Sequence, residues 1–515
     1  MPAHTAISQN ERIQAAHHDS QATWLSRWDS LASVVGTTSI ARWANRVLLL
    51  GLILFVSTVL HSVAAAHISL GLSFIAWIIR DLAARRWHFA RTPMDLPWLC
   101  FAALTIASAI FSIEPSESLP KLRSLLLFGI IYLIATNLHP RGVRFLLLLF
   151  IASGLTGASY SLLEKTWGRG MIVTALEPTS PLASSLLQPG DVIWMVARHR
   201  VRSLDDAAQI IRRHHAGEKL EIEALHAGDP LPVELLVTDA LKAQPNPLGL
   251  SIDGPSRRFR VSGFTRHFVT YAEQMQLLAL LAYGFLLAGL KWKLASRHRL
   301  WITLCLLLFT IFSLTLVLTA SRSAIVSCLC ALLTISIIIG GRRILLTTLA
   351  AAILLGGLAI YTLNSSRTLS ALSLTDDSAA RRISYMQAGL RLIPQHPLLG
   401  VGMDSHKRHW TEWGFPGDYV THTHSTPIQI AIDRGLPAFG CYVWLMTAMF
   451  ILVWRTYRAT KESQDAFKVS LCLGTLGILT GFSISSLVNY NFGDTEALMP
   501  LLLVISLVLV LRRHS

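Results

Sequence analysis

Two histidines, His422 and His424, stand two residues apart in the segment THTHSTPIQIAIDRGLPAFG. An imidazole can accept a proton near neutral pH, and it is also a common metal ligand. The pair therefore allows three interpretations: a catalytic base with a neighbour, two metal ligands, or polar residues without a chemical role beside an apolar segment. Because zinc needs three or four ligands, a metal site would also need carboxylates such as Asp418, Asp433 or Asp494, and nothing in the spacing requires them. We predict neither a metal ion nor another cofactor.

Three arginines also border apolar segments. Arg322 lies between two apolar runs in LTASRSAIVS, Arg260 precedes a third run, and Arg382 lies in a predicted amphipathic helix that Pro394 and Pro397 end. A guanidinium group stays charged and binds phosphate through two parallel hydrogen bonds. These arginines therefore predict a phosphate-binding cluster. The alternative is that each arginine reaches the lipid headgroups or forms an ion pair within its loop.

The composition is that of a membrane protein. The 515 residues are 52% hydrophobic and only 15% charged, and runs such as 300–318, 324–339 and 498–511 carry few or no charges. A helix needs about 20 apolar residues to cross a bilayer. The net charge of +15 fits the lysines and arginines of cytoplasmic loops, so we predict a bilayer environment and no nucleic-acid partner.

The apolar pattern predicts an all-α polytopic membrane protein with about 12 transmembrane helices. The predicted spans are 47–62, 64–80, 95–112, 122–137, 143–163, 271–290, 300–319, 323–340, 343–361, 435–454, 468–488 and 496–511. With these spans the arginine-rich loops, including those of Arg144, Arg343 and Arg513, share one side. Positive loops stay in the cytoplasm, so both termini are expected there. The segments 164–270 and 362–434, with the two histidines, are expected on the opposite side.

The first of these long segments predicts a small α+β domain over 164–255. A turn at Pro189-Gly190-Asp191, a Ser203-capped helix and two alternating segments joined by HAGDP follow one another. Together with the segment SPLA before LQPGDVI, this order resembles a bacterial PDZ domain. The resemblance implies that the domain binds an extended peptide or protein partner by strand addition, with GRG or PLGLSI as the carboxylate-binding loop. A spacer or docking domain that binds no peptide is the alternative.

A second resemblance covers the membrane part, most clearly 259–440. Ser321-Arg322-Ser323 after a span, then Arg382, HPLLGVG and HTHSTPIQIAIDRGLPAFG, resemble the O-antigen ligase family, which includes O-antigen polymerases and protein O-oligosaccharyltransferases. The resemblance implies a periplasmic active site on a bacterial inner-membrane protein. It also implies an enzyme that transfers a glycan from an undecaprenyl-pyrophosphate-linked donor to an acceptor hydroxyl without a metal. The acceptor is lipid A core, a growing polysaccharide or a protein.

The resemblance also assigns roles to residues. Arg322 would stabilise the leaving pyrophosphate and His424 would take the acceptor's proton. Arg260, Arg382, His422 and Asp494 would contact substrate. A ligase and a polymerase share these roles, so both remain open, as do a transporter and a membrane scaffold that acts through the PDZ-like domain. Because the predicted spans are nearly free of charge and the charges gather at helix ends, the enzyme is favoured over the transporter.

These expectations divide the chain into six parts. They are a cytoplasmic leader (1–46), transmembrane helices 1–5 (47–163), the periplasmic PDZ-like domain (164–255), transmembrane helices 6–9 (256–361), a periplasmic catalytic loop (362–434) and transmembrane helices 10–12 (435–515).

Overall fold

The computed structural model describes a bundle of long helices with one small β-sheet. The described residues are 28–34, 38–226, 229–257, 259–265, 267–292, 298–366, 377–417, 420, 422–463 and 465–513. Most of the predicted leader 1–46 lies outside them, as do part of the predicted loop 362–434 and Asp418, one of the possible metal ligands.

Eleven helices in the described residues are long and apolar enough to cross a bilayer. Long and short helices are numbered together in chain order: α1 (Ser39–Thr58), α2 (Val63–Ala84), α3 (Asp95–Ile110), α4 (Pro115–Asn137), α5 (Pro140–Trp167), α6 (Leu204–Arg213), α7 (Asp239–Lys242), α8 (Phe268–Trp292), α9 (His298–Leu318), α10 (Arg322–Ile339), α11 (Arg342–Ser366), α12 (Asp377–Leu392), α13 (His406–His409), α14 (Thr426–Ser463), α15 (Ala466–Ser486) and α16 (Thr495–Arg513). The eleven long apolar helices are all of these except α3, α6, α7, α12 and α13. Helices α8 and α16 form the centre of the bundle, with 94% and 83% of their apolar windows buried, whereas α11, at 17%, lies outside. The chain is a polytopic membrane protein.

Each predicted span corresponds to a helix, but some bounds differ. The predicted span 95–112 is the apolar helix α3, whose 16 residues are fewer than the other spans have. Helix α1 begins at Ser39 rather than at residue 47, because Asn45 is buried and Arg46 pairs with Asp29 at 3.1 Å. These polar residues interrupt the apolar pattern without interrupting the helix.

The bundle has two distinct ends. At the end that we call the cavity end, α8 and α10 begin and α15 finishes, and one cavity is lined by residues of α8 and α10 and by Val488, two residues after α15. At the end that we call the basic end, α5 and α15 begin and α16 finishes, around Arg141, Arg144 and Lys468. Helix α15 runs from one end to the other, and its 21 residues correspond to about 32 Å at 1.5 Å per residue.

Helix α14 is broken near its start. Gly435 has φ +82° inside the helix, and a Cβ atom there would lie 2.2 Å from the carbonyl oxygen of Leu398. Only glycine fits this positive φ and close approach. The break separates the short part 426–434 from the long part 436–463, so the predicted span start at 435 coincides with the break rather than with the first helical residue.

A small antiparallel sheet lies between α5 and α8. Its strands are β1 (Met171–Leu176), β2 (Val192–Val196), β3 (His199–Arg200), β4 (Lys219–His226), β5 (Asp229–Leu236) and β6 (Leu250–Asp253). The order is β5-β4-β2-β1-β6, with β3 paired to β2. Helix α6 begins as predicted: the Ser203 hydroxyl accepts a hydrogen bond from the backbone N–H of Asp206 at 3.1 Å.

One buried ion pair joins this sheet to the helices. Glu164, in the last turn of α5, accepts hydrogen bonds from Arg169 at 3.1 and 2.7 Å and from Arg200 of β3 at 3.1 Å. The Arg169 guanidinium lies 4.7 Å from the ring of Trp194 in β2 and 4.3 Å from the ring of Phe259. The sheet, α5 and the chain segment before α8 therefore meet at Arg169.

Candidate functional site

Three arginines from separate parts of the sequence line one cavity of about 380 Å³ at the cavity end. Arg260 precedes α8, Arg322 begins α10 and Arg382 lies in α12. The rest of the lining is mostly apolar and consists of Phe268, Val269, Ala320, Ser321, Ser323, Val326, Ile383, Met386 and Val488. The structure thus brings together the three arginines that the sequence pattern singled out.

A tight turn between α9 and α10 places Arg322. Ala320 adopts a left-handed conformation with φ +52°, and the Thr319 hydroxyl accepts a hydrogen bond from the backbone N–H of Ser321 at 3.3 Å. Because α10 begins at Arg322, the N–H groups at its start and the positive end of its dipole lie at the cavity. Backbone donors and a guanidinium group therefore occur together here.

Arg260 is positioned by its neighbours in the chain. Phe259 and Val261 are buried, at 1% and 0% exposure. The backbone N–H of Val261 donates to the carbonyl of Leu318 at 3.2 Å, and the Arg260 guanidinium lies 4.4 Å from the ring of Phe268. The backbone is thus fixed against α9, and the side chain packs on the first residue of α8.

Helix α12 connects the cavity to the histidines. It carries Arg382 into the cavity lining, and one turn later it presents Tyr385, which is buried. The ring of Tyr385 stacks on that of His424 with centroids 6.1 Å apart and planes inclined by 27°. His424 therefore packs one helical turn from Arg382, although neither histidine lines the cavity itself.

The two histidines contact each other. Their rings meet edge to face with centroids 4.5 Å apart, and Nδ1 of His422 accepts a hydrogen bond from the backbone N–H of His424 at 3.2 Å. The ring of His422 also lies 5.6 Å from that of Tyr490. His424 has φ +56°, a conformation that costs a residue with a Cβ atom about 1–3 kcal/mol. Surrounding contacts must hold this turn.

Both imidazoles are held neutral. Burial lowers the pKa of His424 to about 3, and the neighbouring His422, Arg382 and His267 lower it further. Burial likewise lowers the pKa of His422 to about 4, and the neighbouring His406, His267 and Arg382 lower it further against a smaller opposing effect of Asp404. Arg382 therefore acts electrostatically on both histidines.

A chain of buried hydrogen bonds holds the histidine turn. The side-chain oxygen of Gln429 accepts from the backbone N–H and the hydroxyl of Thr423, at 2.8 and 3.0 Å. The Gln429 amide donates in turn to Asp433 at 2.8 Å. Thr423 stands between the two histidines, so the short part of α14 fixes the turn through Gln429.

A second buried chain lies behind the cavity. Glu273 of α8 accepts a hydrogen bond from the Ser485 hydroxyl and another, at 3.2 Å, from the Asn489 amide. The same amide donates to the Ser323 hydroxyl at 2.9 Å, and Ser323 lines the cavity beside Arg322. The carboxylate of Glu273 thus orients Asn489 and Ser323.

The predicted carboxylates have other partners. Asp494 accepts from the Thr270 hydroxyl at 2.6 Å and from the backbone N–H of Glu496 at 2.9 Å, which ties α8 to the start of α16. It does not line the cavity, and its contact with substrate stays a prediction. Asp433 binds Gln429. Within the described residues, His, Cys, Asp and Glu form no group of three that could hold a metal ion.

Sequence reasoning missed Tyr385, Gln429, Ser323 and Glu273 as parts of the site. Two signals were available. Gln429 is a long polar side chain in the apolar run TPIQIAI, and Glu273 is a carboxylate in a segment long enough to span the membrane. An ionisable group in such a segment is a functional candidate.

One family model matches the chain. Residues 304–443 match the family described as O-antigen ligase. The matched region contains Arg322, Arg382 and both histidines, and it supports the O-antigen ligase family and a function of the ligase or polymerase type acting on glycans. No curated protein matches the chain.

Proposed function

We propose that this protein transfers a glycan from an undecaprenyl-pyrophosphate-linked donor to an acceptor hydroxyl at the periplasmic face of the bacterial inner membrane. The observation that carries this proposal is the convergence of Arg260, Arg322 and Arg382 on one cavity, beside a helix that also contacts His424. The family match over 304–443 supports the same class of reaction.

The cavity suits both parts of a lipid-linked pyrophosphate. The guanidinium groups and the first N–H groups of α10 would bind the phosphates. The apolar lining would accept the first isoprene units, and Ile383 and Val326 are 52% and 56% exposed at its rim. An ordinary soluble phosphate would leave these apolar side chains without a partner.

In the transfer, the acceptor oxygen forms a bond to the anomeric carbon of the glycan. The bond from that carbon to the pyrophosphate oxygen breaks, and its electron pair leaves with the pyrophosphate. Arg260, Arg322 and Arg382 stabilise this growing negative charge in place of a metal. The imidazole of His424 takes the proton that the acceptor hydroxyl loses, then releases it to solvent.

The low pKa of His424 makes it a weak base in the empty site. Arg382 contributes to this lowering, and a pyrophosphate bound at Arg382 would offset that positive charge. An anion near an imidazole favours its protonated form, so its pKa rises. Donor binding would thus strengthen the base when the acceptor hydroxyl needs it.

This coupling predicts two different pH profiles. The profile of kcat/KM reports the free enzyme, and that of kcat reports the bound complex. His424 protonates only near its pKa of about 3 in the free enzyme, so kcat/KM should stay level as the pH falls through 6.5. The acid limb of kcat should lie at a higher pH than that of kcat/KM. Steady-state rates from about pH 4 to 8, around the ordinary histidine pKa, test this.

Arg382→Gln supplies the control for the pH profile. Removing that charge raises the pKa of His424, so the acid limb of kcat/KM should move to higher pH even if the variant is slow. An acid limb of the unmodified enzyme's kcat/KM at the ordinary histidine value would contradict the proposed coupling.

Gln429→Ala should lower kcat by roughly 10- to 100-fold, because small displacements of a catalytic group have effects of that size. The hydrogen bonds to Thr423 are lost, and the histidine turn is free to move. KM for the donor should change little, since Gln429 is not in the arginine cavity. Steady-state kinetics with a thermal unfolding curve separate this effect from loss of fold.

The matched control for Gln429 is Gln395→Ala. Gln395 is exposed and, within the described residues, donates to the carbonyl of Arg391 at 3.2 Å. Equal kcat values for the two alanine variants would argue against the positioning role.

The proposed activity is tested with purified protein, lipid-linked oligosaccharide and a choice of acceptors. Transfer should release undecaprenyl pyrophosphate in step with glycosylated acceptor. Lipid A core as acceptor indicates a ligase, whereas a second lipid-linked unit indicates a polymerase. Stable binding of the donor without release of pyrophosphate, with every acceptor class, would contradict the enzyme.

We also infer that the sheet between α5 and α8 is a PDZ-like domain. Strand β6 lies at the edge of the sheet and contains residues of the PLGLSI segment, so it offers a place for strand addition. The alternative loop, GRG, contains Arg169, which pairs with Glu164 and so joins the sheet to α5. Fluorescence anisotropy of the full-length protein with a library of C-terminal peptides tests this, and absence of any bound peptide would support the spacer interpretation.

A further inference from the structure

A second cavity, of about 250 Å³, lies at the basic end of the bundle. It is formed where α5 and α15 begin and α16 finishes, and its lining consists of Pro140, Arg141, Arg144, Asp465, Phe467, Lys468 and Leu511. Three cationic side chains and one carboxylate give this lining a formal charge of +2. The Arg144 guanidinium lies 5.1 Å from the ring of Phe467, so the positive charge and the apolar surface are adjacent.

The position of this cavity matches a lipid headgroup layer. Helix α15 starts here and ends near Val488, which lines the arginine cavity. Its length of about 32 Å is close to the ~30 Å thickness of the hydrocarbon core. The two cavities therefore lie at opposite membrane surfaces. The basic end carries the arginine-rich loops, which face the cytoplasm in membrane proteins, where anionic lipids attract them.

The lining indicates what kind of headgroup fits. Arg141 and Arg144 supply guanidinium groups that bind phosphate through paired hydrogen bonds. The half-buried ring of Phe467 offers apolar contact that a free phosphate ion cannot use, whereas the acyl chains of a phospholipid can. Asp465 would accept a hydrogen bond from a headgroup hydroxyl.

We propose that the cavity at the basic end binds the headgroup of an anionic phospholipid that carries a hydroxyl group, of the phosphatidylglycerol type. The phosphate sits between Arg141, Arg144 and Lys468, the hydroxyl faces Asp465, and the acyl chains follow the exposed apolar side of α5, which includes Phe145 and Leu148, into the membrane. The lipid holds α5, α15 and α16 together at the surface opposite to the arginine cavity.

The experiment uses delipidated full-length protein in a zwitterionic detergent. Phosphatidylglycerol, phosphatidylethanolamine and inorganic phosphate are titrated separately, and bound molecules are counted by native mass spectrometry. Phosphatidylglycerol should bind and raise the unfolding temperature. The double variant Arg141→Gln and Arg144→Gln should weaken that binding at least tenfold. Both arginines are exposed, and an unfolding curve without lipid checks that the variant folds.

The matched control is Arg342→Gln with Arg343→Gln. This pair removes the same charge, is exposed and begins α11, but it does not line the cavity. Phosphatidylglycerol binding should be unchanged in the control. An equal loss in both double variants would overturn the proposal in favour of a general charge effect. Equal binding of phosphatidylethanolamine, or of phosphate alone, would also overturn it, as would no binding of phosphatidylglycerol at all.

Discussion

Arg322→Ala is expected to reduce glycan transfer by about 100- to 1000-fold, the effect of losing one donor that stabilises transition-state charge. Arg322 lines the cavity at the first turn of α10, where its charge adds to the helix dipole. Arg322→Lys keeps the charge but loses the two-pronged hydrogen bonding of guanidinium, so it should recover only part of the rate. Initial rates of undecaprenyl pyrophosphate release measure both variants.

Arg381→Ala provides the control for Arg322. Arg381 is an exposed arginine at the same end of the bundle, next to Arg382 in α12, but it does not line the cavity. Its variant should transfer at the normal rate. If Arg322→Ala keeps more than half of the activity, the cavity is not where the pyrophosphate leaves.

His424→Asn is expected to lower kcat by about 100- to 10,000-fold, the range for removal of a general base. Asparagine adopts the left-handed conformation more readily than most residues, so this variant keeps the φ of +56° at position 424. The loss then reports the missing base and not a change in the turn. Donor affinity should be nearly unchanged, because Arg260, Arg322 and Arg382 remain in place.

Two further variants complete this test. His199→Gln removes an exposed histidine of β3 and should have no effect. His424→Gly keeps the left-handed turn and leaves room for added imidazole, which should restore part of the rate. Normal kcat in His424→Asn would contradict the role of His424 as the base.

The membrane helices could be predicted from the sequence because apolar length decides whether a helix spans a bilayer. The same rule misplaced the start of α1, where buried Asn45 and paired Arg46 continue the helix past the apolar run. The break at Gly435 was not predicted. Its cause is the close approach of the Leu398 carbonyl, a contact between separate segments that no local pattern reveals.

The arginines of the site could be named from the sequence, but their supports could not. Arginine is unusual at the ends of spans opposite the positive loops, so Arg260 and Arg322 stood out. Gln429 and Tyr385 did not, because their roles come from contacts with Thr423 and His424 across the fold. Asp494 stood out for its charge, yet its oxygens bind Thr270 and a backbone N–H.

Because Arg169 stacks between Trp194 and Phe259, the small sheet is attached rigidly to the helix bundle rather than through a flexible linker. A ligand that shifts the sheet would therefore also shift Phe259, and the next residue in the chain is Arg260. Deletion of residues 171–253 would remove Trp194 from this stack and so weaken the packing that positions Arg260 in the cavity. Slower glycan transfer by the shortened chain would then combine two effects: the weaker positioning of Arg260 and the loss of any peptide or protein that the sheet binds.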